Sequence, residues 1–397
     1  MTYATLQLKK HEDRRLQRGH LWIFSNEIDV QKTPLKSFQT GELVHIESAD
    51  QQSLGIGYIN PNTLLCARLL TRHRDEPIDV EFFKRRFSQA LRLRERLFHQ
   101  PYYRLIYSEG DDLPGLVVDR YGEIFVVQLN TAGMENLKSL VIDALVQLFS
   151  PAGILYRNTS SGRQLESLPS YVEVAYGTVP QAITLAEHQV QFEIPLWAGQ
   201  KTGWFYDQCS NRSRLPAYVN KARVLDICSY IGAWGVAAAY QGAKAVLCVD
   251  SSAEALNHVQ HNAALNRVES TVKTQRADVF DLLPELVLQK EQFDVIVLDP
   301  PALIKRKKDL KAGMQAYIKL NKCALQLLSP QGILISTSCS MQITRDIFFS
   351  VLHEAGVKAK RSFKVIEQLQ QAPDHPIHPA IVETNYLKGY ICACNEG

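Results

Sequence analysis

From residue 223 onward the apolar positions fall into short solid runs separated by stretches of helical periodicity. In RVLDICSYIGAWG (223–235), Val224, Leu225 and Ile227 suit a strand buried on both faces, and Gly232 and Gly235 in the following loop let a backbone approach a ligand closely. Strands are predicted over 223–228, 245–250, 271–276, 293–298, 332–337, 363–367 and 389–394, with helices near 252–265, 313–328 and 342–355. Such alternation implies an α/β domain built on a parallel sheet covered on both faces, with its ligand crevice at the C-terminal ends of the strands. Asp226, Asp250, Asp299 and Cys339 all fall at those ends. Each acid alone also fits a turn former at a strand end, and the cysteine an inert buried thiol.

The chain ahead of this region has a different rhythm. GELVHIES, SLGIGYIN and LLCARLLT are short strand-like runs broken by Gly, Asn and Pro, which predicts a small β module over residues 1–73, with the basic segment Lys9–Arg18 ahead of them. Phe82, Phe83, Phe87, Leu91 and Leu97 recur at helical spacing with Arg and Lys between them, predicting a connecting helix with one packed and one basic face. Together with the strand and helix patterns over 104–190, that helix forms a central α+β domain, 74–190, leaving 191–397 for the α/β domain. The loop WAGQKTGWFYDQCSNRSRL (197–215) is more polar than a linker needs: Gln200, Thr202, Asp207, Gln208, Asn211 and Arg212 stand close to the glycine-bearing strand. Arg212 suits a carboxylate partner, and the hydroxyl and amides could orient the tail of a ligand. Asp207 also fits as a first-turn helix acid.

Composition adds limits. The 397 residues, 46% hydrophobic with a net charge of +3, describe a globular protein of two or three domains. Lys and Arg outnumber Asp and Glu by 17 to 12 over residues 1–104, a surplus that suits a polyanionic partner and equally a solvated basic face. The eight cysteines show no zinc-ligand spacing, His375 and His378 have no third ligand nearby, and no metal is expected. The N-terminus lacks the apolar core of a signal peptide and no run reaches membrane-spanning length, so the expected location is the cytoplasm and no membrane partner is expected.

Two resemblances give these patterns a chemistry. GHLWIFSNEI, GELVHIES and GIGYINP resemble the PUA domain, a small β barrel that binds structured RNA. The order of Asp226, Asp250, Asp278 and Asp299-Pro300-Pro301 resembles the class I S-adenosylmethionine-dependent methyltransferases, implying a Rossmann-like seven-stranded methyltransferase sheet over about 195–397. On that resemblance the stretch from Asp226 through Ser229 and Gly232 to Gly235 would surround the methionine portion of S-adenosyl-L-methionine. Asp250 would hold the ribose hydroxyls, Asp278 would accept from the adenine amino group, and Val279 would pack beside the ring. Ser251, Thr202, Asp207, Gln208, Arg212 and Asp299 complete the implied cofactor-binding set.

With TSCS (337–340), the DHP and YLKGY segments and the KTGWFYDQCSNR loop added, nearly the whole chain resembles the PUA-containing cytosine carbon-5 methyltransferases acting on large-subunit ribosomal RNA. The resemblance implies Cys339 as a nucleophile on carbon 6 and Asp299, in protonated form, on ring nitrogen 3. It implies large-subunit ribosomal RNA as partner and allows a homodimer. Departures are Ala302 where some relatives carry Lys, with the basic run Lys305–Lys308 following, and no Pro-Glu pair after His375-Pro376. Methylation of a guanine by the same fold, and a non-catalytic RNA-binding assembly factor, are the alternatives.

Overall fold

The computed structural model describes residues 3–304 and 306–395; Lys305, at the head of the basic run, lies outside them. The chain divides into two compact units, one of Met1–Ile183, Pro195–Tyr206 and Pro373–Thr384, the other of Thr184–Ile194, Asp207–Ala372 and Asn385–Gly397. Among the described residues no helix is long and apolar enough to cross a membrane.

The first unit begins with β1 (Ala4–Gln7), α1 (Arg14–Gln17), β2 (Trp22–Phe24), β3 (Glu42–Glu47), β4 (Ser53–Ile59) and β5 (Leu65–Thr71), whose strands form a five-stranded sheet in the order β1-β3-β4-β5-β2. The three strand-like runs of the sequence become β3, β4 and β5. After α2 (Val80–Leu97) come β6 (Tyr102–Tyr107), β7 (Leu116–Tyr121), β8 (Ile124–Leu129), α3 (Ala132–Asn136), α4 (Lys138–Phe149), β9 (Gly153–Asn158), α5 (Gly162–Leu165) and β10 (Tyr171–Gly177), with a second sheet ordered β10-β9-β8-β7-β6.

Helix α2 is more than a connector. Phe82, Phe83 and Phe87 share one core with Ile56 and Leu70 of the first sheet and Leu105, Val118 and Phe125 of the second. Burying each such side chain contributes about 1.5–3 kcal/mol. Nor is its basic face all solvated: the Arg94 side chain is fully buried, bonded to both carboxylate oxygens of Asp111 and to the Asp374 carbonyl. Asp374 and His375 are buried as well and pair at 2.7 Å, so this histidine serves a hydrogen-bond network.

The second unit holds the hairpin β11 (Ala182–Glu187) and β12 (Val190–Pro195), then α6 (Cys209–Arg212), β13 (Arg223–Ile227), α7 (Gly235–Tyr240), β14 (Ala245–Asp250), α8 (Ala253–Leu265), β15 (Val272–Arg276), α9 (Val279–Leu288), β16 (Phe293–Leu298), α10 (Leu310–Leu327), β17 (Leu328–Ser338), α11 (Arg345–Ala359), β18 (Phe363–Gln370) and β19 (Lys388–Cys394). Its seven-stranded sheet runs β15-β14-β13-β16-β17-β19-β18. Leu225 sits opposite Leu247 on one side and Ile296 on the other, all in parallel register.

The expectation of a wholly parallel sheet needs one correction. Strand β19 inserts between β17 and β18 and runs antiparallel to both. No helix of the second unit separates β18 from β19, and without a crossover helix a neighbouring strand returns in the opposite sense. Helices α9, α10 and α11 cover one face through Leu283, Tyr317, Ile318 and Phe348 against Ile227, Ile296 and Leu334.

Candidate active site

The loop after β13 is held in a conformation that most side chains avoid. Cys228 and Tyr230 adopt φ of 62° and 49° and Gly232 adopts 87°, the left-handed region, at about 1–2 kcal/mol for each residue bearing a Cβ. Tertiary bonds offset that cost: Ser229 N–H donates to the Val249 carbonyl (3.0 Å), Tyr230 N–H to the Asp250 carboxylate (2.9 Å), and Asn262 Nδ2 to the Ile231 carbonyl (3.0 Å). At Gly235 a Cβ would lie 2.3 Å from Cys248 Sγ and 2.9 Å from Asp226 Oδ2. Only glycine lets α7 begin this close to the strands.

Asp226 is fully buried beneath that loop. Its Oδ2 accepts from Gly235 N–H at 2.8 Å, while Oδ1 has no hydrogen-bond partner among the described residues. Burial pushes its carboxyl up to about 7, partly countered by the Gly235 bond and reinforced by Asp299 and Asp250. The neighbouring Cys228 thiol is driven far above its usual range, by burial first and then by Asp250, Asp299, Asp226 and Asp278. All four acids expected from the sequence therefore act on one half-buried point at the strand ends. A crevice walled by carboxylates, with an orphaned oxygen and glycines that admit a close backbone, fits a cationic ligand that carries hydroxyls.

Asp250 is aimed by its own surroundings, one oxygen accepting from Tyr230 N–H and the other from Ser252 N–H, both at 2.9 Å. Ser251 is exposed beside it, and its carbonyl accepts from Arg276 Nε. Asp278 caps α9 by accepting from Phe280 N–H at 2.8 Å, and half-buried Val279 opens that helix against the core.

Asp299, directly after β16, sits in a cage of donors. Gln208 Nε2 (3.0 Å) and the Thr337 hydroxyl donate to Oδ1, and Trp234 Nε1 (3.1 Å) donates to Oδ2. Both Asp299 oxygens thus already accept hydrogen bonds from side chains of the same unit. Cys339 follows β17 and is half-buried, its Sγ 4.0 Å from the Pro300 carbonyl, so the TSCS and DPP segments meet as the strand order requires. The turn is held on both sides of the thiol: the Ser338 hydroxyl donates to Tyr317 Oη (2.8 Å), and Tyr317 Oη bonds Ser340 Oγ (3.0 Å).

The side chains of the polar loop find partners within the protein. Gln208 reaches the crevice; the others are engaged by protein groups. Arg212 makes a buried two-pronged pair with Glu187 of the β11–β12 hairpin, giving its guanidinium a carboxylate of the chain. The Asp207 carboxylate accepts from the Tyr386 hydroxyl. Thr202 belongs to the first unit, where its hydroxyl donates to Asp119. Sequence reasoning missed Trp234 and Thr337, although both lie within quoted motifs. A Trp in a loop of small residues is a signal in itself, because a buried indole N–H needs an acceptor.

Comparisons with known proteins bear on the family and the fold. Residues 6–72 match the family model described as PUA-like domain, and residues 210–345 match the one described as Conserved hypothetical protein 95. The protein named Ribosomal RNA large subunit methyltransferase I from Klebsiella pneumoniae (strain 342) is 37% identical over 395 residues, covering 98% of both chains. Its namesake from Aliivibrio fischeri (strain MJ11) is 36% identical over 394 residues, covering 98% of this chain and 99% of its own. A putative SAM-dependent methyltransferase from Streptococcus mutans superposes with a TM-score of 0.83 at 21% identity, covering 98% of this chain and all of its own, and shows the fold. Another solved structure of that fold, SMU.776, described as a putative methyltransferase complexed with SAH, gives a TM-score of 0.84 at 21% identity over 98% of this chain and all of its own. With more than a third of its residues shared end to end with such relatives, this chain belongs to the family of class I S-adenosylmethionine-dependent ribosomal RNA methyltransferases that carry a PUA-like domain.

Proposed function

We propose that the chain methylates carbon 5 of a cytosine in large-subunit ribosomal RNA through a covalent adduct with Cys339. The observation that carries this reading is the half-buried Cys339 thiol, 4.0 Å from the carbonyl of Pro300 in the Asp299-Pro300-Pro301 motif. Carbon 5 of a pyrimidine is a poor nucleophile. Bonding of Cys339 Sγ to carbon 6 moves an electron pair to carbon 5, which then takes the methyl group; loss of the carbon-5 proton expels the sulfur and restores the ring. S-adenosylmethionine, when bound, supplies the methyl as part of a sulfonium cation, and Asp226, Ser229, Gly232, Asp250, Asp278 and Val279 are the residues that would hold it. Asp299, kept as an acceptor by Gln208, Thr337 and Trp234, suits the exocyclic amine by which cytosine differs from uracil.

Residues 1–73 and 74–190 would dock and orient the RNA. A cavity of about 420 Å³ in the first unit, lined by Arg18, Arg72 and His378 with Asp112, supports phosphate contact there. The test is Cys339→Ala: it should bind S-adenosylmethionine by calorimetry with unchanged affinity and form no 5-methylcytosine in ribosomal RNA. Retained 5-methylcytosine excludes the adduct, a methylguanine in its place identifies the wrong base, and no S-adenosylmethionine binding by the wild type favours a non-catalytic assembly factor.

A further inference from the structure

Among the described residues Lys388 is a buried cation without a carboxylate within ion-pair distance. It opens β19, and the antiparallel register sets it opposite Ser338, the residue before Cys339. Only 4% of it is exposed. Nζ donates to the Ser340 carbonyl at 2.6 Å and the Ile343 carbonyl at 2.8 Å, so the ammonium is wrapped by the turn that carries the thiol. Burying an ammonium is costly unless a negative charge answers it.

The charged groups that act on Lys388 are few. Arg345, at the start of α11, has the same sign and disfavours the ammonium; the Cys339 sulfur supports it; burial has the largest effect and lowers Lys388 to about 8. Cys339 is in turn faced by the Tyr317 phenol of α10, which the serines on either side of the thiol engage. The group of opposite charge available to this ammonium is therefore the sulfur of Cys339.

We propose that Lys388 is the counter-ion of the Cys339 thiolate, a positioning residue that keeps the nucleophile ionised and fixes the turn that presents it. The proposal rests on Cys339 being the nucleophile and adds to that reading the source of its reactivity. Ionisation releases the thiol proton to solvent and leaves an ammonium–thiolate pair of zero net charge, and no further reactant is needed.

Alkylation reads this pair without RNA or methyl donor. Iodoacetamide forms an S–C bond with the thiolate and releases iodide, and mass spectrometry of the peptide carrying Cys339 follows the rate from pH 5.5 to 9.5 in the full chain. In Lys388→Met the midpoint should move up by at least about one pH unit, which slows alkylation at pH 7 about tenfold. Lys388→Arg, which keeps the charge, should retain the wild-type midpoint. Lys388→Gln can still donate to a turn carbonyl but carries no charge, so it should follow Met even where its melting temperature is that of the wild type. Midpoints unchanged in both Lys388→Met and Lys388→Gln overturn the pair. A shifted midpoint in a protein that forms no 5-methylcytosine leaves the pair standing and refutes the methylation reading instead.

Discussion

Asp226 offers a test of the crevice electrostatics that depends on one group. Its carboxyl, ordinarily at 3.8, is pushed up to about 7 by burial and the nearby acids. The folded chain therefore keeps a proton that the unfolded chain releases between these two values. The sign follows: below pH 4 both states are protonated and nothing is lost, whereas stability falls as pH rises from about 4 and levels off above about 7. Roughly three pH units at about 1.36 kcal/mol each make the span about 4 kcal/mol. Asp226→Asn keeps the shape and cannot ionise. Near pH 4 the variant should differ from wild type by a fixed amount, and between pH 4 and 8 the difference should move in its favour by up to about 4 kcal/mol. For a unit of this size that corresponds to roughly 8–16 °C in melting temperature, within reach of differential scanning calorimetry. A wild-type-minus-variant difference that stays flat from pH 4.5 to 8 would refute the burial argument. The same carboxyl should ionise when a cation binds beside it, so wild-type affinity for S-adenosylmethionine should rise from pH 6 to 8 while that of Asp226→Asn stays level.

Two further substitutions separate structural from functional roles. Trp234→Phe removes the indole donor to Asp299 Oδ2; methyl transfer should drop about tenfold, with S-adenosylmethionine affinity by calorimetry unchanged, and an equal loss of both would argue that the ring packs against the cofactor. Arg212→Ala removes one side of the buried pair with Glu187, so thermal unfolding should show a loss of about 3–5 kcal/mol. A weakened affinity for S-adenosylmethionine with full stability would return Arg212 to the cofactor.

The sheet was legible because its strands are solid apolar runs. β13, β14 and β16 lie where Val, Leu and Ile cluster, and the acids after them mark the crevice. Helix α9 escaped the pattern because it carries Pro284 inside it, a residue that ordinarily argues against helix. Side-chain partners were harder to read. Arg212 and Asp207 find Glu187 and Tyr386 at sequence separations of 25 and 179, and nothing local announces such pairs. Lys388 was quoted only as part of a motif, because a lysine opening an apolar strand does not reveal whether its ammonium turns outward or inward.

Why one cysteine of the crevice should react and another not follows from where the charges lie. Cys228 and Cys339 are both half-buried and both follow strands of the same sheet. Cys228 sits among Asp226, Asp250, Asp278 and Asp299, a field that penalises a second anion and keeps the thiol protonated. Cys339 lies in the turn whose carbonyls the Lys388 ammonium binds, its sulfur 4.0 Å from the carbonyl of Pro300. The acidic side of the crevice suits a cationic methyl donor, which would raise the charge balance there toward neutrality, and the basic side suits a sulfur that must be anionic to attack carbon 6. A thiolate at Cys228 would instead add negative charge where the donor binds and stand idle against the base. Under the proposed mechanism, this separation of charge along the strand ends gives the two thiols opposite fates.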